Sequence, residues 1–194
     1  MLLLIVCISF SGCLSTKKYH VVEDNSRQVQ EKEGITVICE YLDEGDLVKR
    51  HGRENNPFID KEFVLTPVYS LVFEVEIRNN TSMMVKYDSR ETELIFADRS
   101  TRAAVASDIE SKLDEEKNTK GSSKLAQLRL ARKVLYKNIV RLQPGESYKN
   151  YIVFINNFRQ RGECTLDLPL MYNSGNVAEE FEFTYQLAKA RVKK

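Results

Sequence analysis

The side chains that could carry catalysis are few and scattered. Only two histidines occur, His20 and His51, and there is no tryptophan. His20 lies in a polar leader, so a hydrolytic triad would have to use His51. No G-x-S-x-G turn is present to present a serine nucleophile. His51 itself stands in His51-Gly52-Arg53-Glu54, which reads as a loop. Asp43-Glu44-Gly45-Asp46 is acidic but lacks the spacing and the closing bidentate glutamate of an EF-hand. A solvated turn there is a simpler reading than a loose calcium site. The four cysteines, Cys7, Cys13, Cys39 and Cys164, form no C-x-x-C pair and no cluster with histidine, so no zinc ligand set is expected. The expectation is a non-enzyme without metal or cofactor.

What remains is charge. Arg129, Lys133 and Lys137 recur every four residues, which puts them on one face of a helix. Lys120, Lys124, Arg132 and Arg141 add to this stretch, and it holds no acid. The stretch before it is the reverse: Asp108, Glu110, Asp114, Glu115 and Glu116 stand against Lys112 alone. Two readings fit the basic row. One is the solvated outside of a helical hairpin. The other is a surface for an anionic partner: lipid headgroups, a polysaccharide or an acidic protein. The whole chain has 29 Lys and Arg against 28 Asp and Glu, a net charge of +1, which argues against a nucleic-acid partner.

The elements that must carry these residues are mainly strands. Tyr69, Leu71, Phe73, Val75 and Ile77 alternate with polar neighbours, the cleanest period-two run in the chain. Ile35, Val37, Cys39 and Tyr41 repeat the pattern, as do Cys164 to Tyr172 and Phe181 to Leu187. Tyr148 to Ile155 is apolar on both faces, as expected of a central strand. Asn79-Asn80-Thr81-Ser82 and Pro144-Gly145 supply turns. From about Thr101 to Lys137 the period becomes helical: Val105, Ile109 and Leu113, then Leu128, Ala131 and Leu135. Lys120-Gly121-Ser122-Ser123 breaks this into two helices, with Ser122 or Ser123 available to cap the second. Cys39 and Cys164 fall on core-facing positions. The sequence leaves open whether they are bridged or are two buried thiols. With 194 residues and 42% apolar content, one domain can bury a core without a staple.

The first residues differ from all others. Met1–Phe10 is an apolar run too short to span a bilayer, and no charge occurs before Lys17. Small residues follow at once. Phe10-Ser11-Gly12-Cys13 resembles the lipobox of bacterial lipoproteins, in the looser form found in spirochaetes, since Phe10 stands where Leu is usual. The resemblance implies removal of residues 1–12 as a signal peptide and acylation of Cys13, anchoring the chain in a membrane. Leu14 rather than Asp after the cysteine is compatible with sorting to the outer membrane. Residues 13–33 are polar with mixed charges and read as a flexible tether, about 25 Å in root-mean-square span for twenty residues.

Residues 34–194 are then the folded domain. Phe73 to Asn80, Leu142 to Ser147 and Ile152-Val153-Phe154 resemble the immunoglobulin-like modules of uncharacterised bacterial lipoproteins and secreted antigens. That resemblance implies an antiparallel β-sandwich, here with a helical hairpin inserted at about 101–137 and docked on one end, and it brings no catalytic residues. The combined expectation is a surface-exposed, lipid-anchored outer-membrane protein. Its role would be binding or structural, with a protein or polysaccharide ligand. The alternative is a periplasm-facing accessory subunit of an envelope assembly.

Overall fold

The computed structural model describes residues 19–21, 26–59, 69–115, 121–135, 138–156, 162–172 and 176–189. Eleven strands and three α-helices occur among them. The strands are β1 (Tyr19–Val21), β2 (Arg27–Lys32), β3 (Ile35–Leu42), β4 (Tyr69–Asn79), β5 (Val85–Asp88), β6 (Glu93–Phe96), β7 (Arg99–Arg102), β8 (Ile139–Leu142), β9 (Ser147–Asn156), β10 (Gly162–Tyr172) and β11 (Val177–Lys189). The helices are α1 (Glu44–His51), α2 (Ala106–Glu115) and α3 (Gly121–Leu135). Cys13 and the segment resembling a lipobox lie outside the described residues.

Alternation in the strands produces two antiparallel sheets. One runs β2-β3-β4-β9. The other runs β1-β11-β10-β5-β8, with β6 pairing β10 and β7 pairing β6. Their apolar faces share one core. Ile35, Val37, Cys39, Phe73, Val75, Ile77 and Phe154 come from the four-stranded sheet. Val85, Tyr87, Leu166, Leu168, Phe181, Phe183 and Tyr185 come from the seven-stranded sheet. Phe73 meets Tyr185 across the layers at 4.9 Å between ring centroids. The Tyr185 hydroxyl donates to the Cys39 carbonyl at 3.3 Å. Cys39 and Cys164 are both buried and both free, and burial pushes each thiol up to about 12.

The two turn motifs noted in the sequence meet at one buried residue. Asn79 has no exposed surface. Its amide donates to the Met83 and Leu142 carbonyls at 2.8 and 2.9 Å. Its side-chain oxygen accepts from the Thr81 N–H and hydroxyl at 3.0 and 2.7 Å. Its backbone exchanges bonds with the Pro144-Gly145 turn: its N–H donates to Glu146 O at 2.9 Å, and its carbonyl accepts from Gly145 N at 2.7 Å. All four side-chain bonds of the amide are made, as burial requires.

Three expectations need correction. First, strands occur before residue 34. Glu33 and Gly34 both have positive φ (46° and 82°), the geometry of a two-residue hairpin, and join β2 to β3. β2 has no apolar face to betray it. Its Val29 is half exposed, while Gln28, Gln30 and Lys32 reach across to the Thr184, Glu182 and Glu180 carbonyls of β11. Second, β9 is not a central strand but the end of its sheet. It is apolar on both faces because Ile152 and Phe154 enter the main core while Val153 lies under the helices. Its outer edge is satisfied locally, Val153 O by Ala104 N at 2.7 Å and Tyr151 N by Asn150 Oδ1 at 2.9 Å. Third, the helices cover a face, not an end. Ile109, Leu113, Ala131 and Leu135 form a second core with Leu42, Val72 and Val153 on the outer side of the four-stranded sheet. The segment expected to begin the hairpin, Thr101-Arg102, is instead part of β7.

Candidate functional site

The basic row is built on α3. Its apolar positions face the sheet, so the residues opposite them face outward. Arg129 and Lys133 are both exposed, four residues apart. Lys137 falls outside the described residues. Ser123 does not cap α3 but donates to the Glu54 carbonyl at 2.8 Å. Gln127 Nε2 donates to the same carbonyl at 2.8 Å, tying the helix to the loop after α1. The Ser122 side chain lies outside the described residues.

The opposite charges of the two hairpin helices neutralise one another only in part. Arg132 Nε donates to Glu110 Oε1 at 2.6 Å, and Lys124 pairs with Asp114. Neither Arg129 nor Lys133 has a carboxylate within ion-pair distance among the described residues. Among the described residues, two cations of α3 are therefore paired and two are not.

A second charged region lies beside it, where α1 meets β4 and β9. Its nucleus was visible only as a loop in the sequence. Asp43 is the N-cap of α1, accepting from Asp46 N at 2.8 Å. Acids occupy the first turn and Lys49, Arg50 and His51 the last, as the helix dipole favours. The acidic Asp43-Glu44-Gly45-Asp46 segment is thus a helix start. Arg50 Nη1 donates to Glu74 Oε1 at 2.5 Å, and Lys149 Nζ meets the other Glu74 oxygen at 2.9 Å. Burial alone would push the Glu74 carboxyl up, but the hydrogen bonds from Arg50 and Lys149 outweigh it and hold it below the usual range.

His51 is half-buried. Its Nε2 shares a 3.0 Å hydrogen bond with the Tyr151 hydroxyl, with the two rings edge to face. Burial lowers its basicity, and the charges of Arg50 and Lys133 lower it further. The imidazole sits at the border of the helical layer, packed against Tyr151. Its described partners are the Tyr151 phenol and the charges of Arg50 and Lys133. Lys133 thus links the two regions, and the outward surface from Arg129 through Lys133 to His51 is cationic. A surface of one sign of charge attracts anions.

Among the described residues no three His, Cys, Asp or Glu side chains come together as a metal set, and no helix is long and apolar enough to cross a membrane. No family model matches the chain, and no curated protein matches it. Three solved structures are similar in outline. A functionally unknown protein from Listeria monocytogenes EGD-e is 9% identical over 88% of each chain, with a TM-score of 0.42. The structural-genomics target SoR45 is 11% identical over 82% of this chain and 88% of its own, at 0.38. A FixG-related protein from Vibrio parahaemolyticus is 12% identical over 66% of this chain and 90% of its own, at 0.33. Likenesses of this size identify neither a family nor an activity.

Proposed function

We propose that the protein is a membrane-anchored envelope lipoprotein with a non-catalytic binding role, exposed on the cell surface and acylated at Cys13. Its folded part is an immunoglobulin-like sandwich whose outer helical layer presents Arg129 and Lys133, with Lys137 continuing the row in sequence. The observation that carries the binding role is the pair of exposed α3 cations without carboxylate partners among the described residues, while Lys124 and Arg132 of the same helix are neutralised. The ligand class this favours is an anionic polysaccharide or an acidic protein face.

Anchor and location are tested together. Radiolabelled fatty acid should enter the wild-type chain and not Cys13→Ala, and protease added to intact cells should degrade the domain. Absence of label on the wild type removes the anchor. Protection from protease in intact cells, with degradation after lysis, favours the periplasm-facing role instead.

A further inference from the structure

The two outer faces of the sandwich carry opposite charge. On the helical side, Leu125, Arg129 and Lys133 of α3 are all exposed, Leu125 with 50% of its surface in solvent. Positions four apart lie about 6 Å along a helix, so the three form one line. The order is an apolar residue, then two cations that have no carboxylate partner among the described residues.

The outer face of the seven-stranded sheet is the counterpart. The apolar residues of β6, β10 and β11 turn into the main core, so their neighbours turn out. Register sets Glu93 opposite Asp167, and Asp167 opposite Glu182, a row of acids across three strands. Ile95 pairs with Thr165 and Pro169 with Glu180. Ile95, Asp167 and Glu180 therefore follow one diagonal of the sheet, about 7–8 Å apart. Ile95 keeps 39% of its surface exposed, and Glu180 and Glu182 are exposed as well. Arg102 takes Glu93 at 3.1 Å. Lys32 donates to the main-chain carbonyl of Glu180, not to its carboxylate. Asp167, Glu180 and Glu182 have no cation within ion-pair distance among the described residues. Burial, then the charges of Glu180, Glu182 and Glu93, push the Asp167 carboxyl up, and its Oδ1 has no hydrogen-bond partner. The diagonal repeats the order found on α3, an apolar residue and then two charges, with the sign reversed.

The main core and the four-stranded sheet lie between these faces, so neither can neutralise the other within one chain. We infer that the partner of the α3 row is the acidic sheet face of a second copy of this chain, which rests on the binding role proposed above and names the acidic protein face it takes. Arg129 and Lys133 of one copy meet Asp167, Glu180 and Glu182 of the next, with Leu125 against Ile95. The long arginine and lysine side chains absorb the difference between the two spacings. Charge that is complementary across the contact sets its orientation and register. The two faces differ, so the contact is heterologous. A copy that docks its helix leaves its own acidic face open, and association continues head to tail.

The test is analytical sedimentation of the full chain carrying Cys13→Ala, over a range of concentrations. It is run at about 0.1 M and about 1 M salt, where the Debye length falls from about 10 to about 3 Å. The mass should climb past that of a dimer at the lower salt and return to the monomer at the higher. Arg129→Gln with Lys133→Gln removes the helix side of the contact, and Glu180→Gln with Glu182→Gln removes the sheet side. Each pair alone should weaken association by about tenfold. Mixed in equal amounts, the two variants keep one helix side and one sheet side between them, and should form a dimer that grows no further. The apolar leader is common to all these chains, and melting temperatures show that each is folded. A monomer at every concentration, growth that stops at a dimer of the unsubstituted faces, or association that salt leaves unchanged overturns the proposal. So does a mixture no larger than either variant alone. Dextran sulfate binding by the same chains separates this result from the binding role itself. Binding that R129Q with K133Q abolishes, without self-association, leaves α3 an anion-binding face and overturns only the second copy. Neither binding nor association removes both.

Discussion

Two sets of polar groups on this molecule differ in whether the fold uses them. Asn79 and Glu74 are both buried, and their side-chain polar atoms all have partners. Along the outer row of α3, Arg129 and Lys133 reach solvent without a carboxylate among the described residues. The first set closes turns and supports the helical layer, so altering it should change stability. The second is held in place by the packing beneath it and contributes little to that packing. The difference separates groups the fold uses from groups it leaves exposed, which the proposed binding role would use.

The largest expected effect is at Asn79. Asn79→Ala leaves the Met83 and Leu142 carbonyls and the Thr81 N–H without their buried partner, a loss of about 3 kcal/mol. For a chain of this length that lowers Tm by roughly 6–12 °C. Polyanion binding by the folded fraction should be unchanged. A Tm within 2 °C of wild type would mean that the two turns are held by other contacts.

Glu74→Gln comes next. It removes the charge that Arg50 and Lys149 share, and because both cations keep part of their surface in water the loss should be only about 1–2 kcal/mol. It should also alter the pH profile. Burial raises the Glu74 carboxyl, but Arg50 and Lys149 bring the net value below the ordinary 4.5. Asp88 is lowered chiefly by its hydrogen bond from Arg90. A carboxylate lowered in the folded state stabilises above its unfolded value, and that contribution is lost as pH falls through the folded one. Wild type should therefore weaken below about pH 4.5, and denaturant titrations of Glu74→Gln should show a shallower decline over the same range.

How much of this was legible in the sequence varies by region. β4 could be read directly, because its Leu71, Phe73, Val75 and Ile77 alternate against one core. β2 could not, because its inward side chains are Gln28, Gln30 and Lys32, which bind carbonyls where apolar residues would ordinarily pack. α1 is eight residues long with one fully buried side chain, Leu47, so its periodicity is too brief to register. The spacing of Arg129 and Lys133 was visible. What periodicity could not reveal is that Glu110 and Asp114 would take Arg132 and Lys124 and leave these two without a carboxylate among the described residues. Partnering depends on where α2 lies beside α3, and a single helical pattern holds no information about its neighbour. The Glu74–Arg50–Lys149 group brings together β4, α1 and β9, and no local motif joins them.

A smaller effect, of opposite sign, is expected on the seven-stranded sheet. Asp167 Oδ1 is buried without a hydrogen-bond partner. Burial raises its carboxyl, and Glu180, Glu182 and Glu93 raise it further. A carboxyl raised in the folded state destabilises once pH exceeds its unfolded value. Asp167→Asn should therefore stabilise at neutral pH by about 0.5–1 kcal/mol, read from chemical denaturation. A loss of stability would show that the carboxylate is needed in its charged form.

The smallest effect on stability and the largest on binding should come from α3. Arg129→Gln with Lys133→Gln, and Lys124→Gln with Arg132→Gln, remove the same charge from the same helix. They differ in whether a carboxylate already held the cation. The decisive measurement is the salt-dependent affinity of these two chains for dextran sulfate, with melting temperatures taken in parallel. Loss of the unpartnered pair should weaken binding by about tenfold and flatten its salt dependence, with stability within about 0.5 kcal/mol of wild type. Loss of the partnered pair should weaken it less than about threefold. Equal weakening by both, or none by either, would contradict the account and leave α3 as a solvated face.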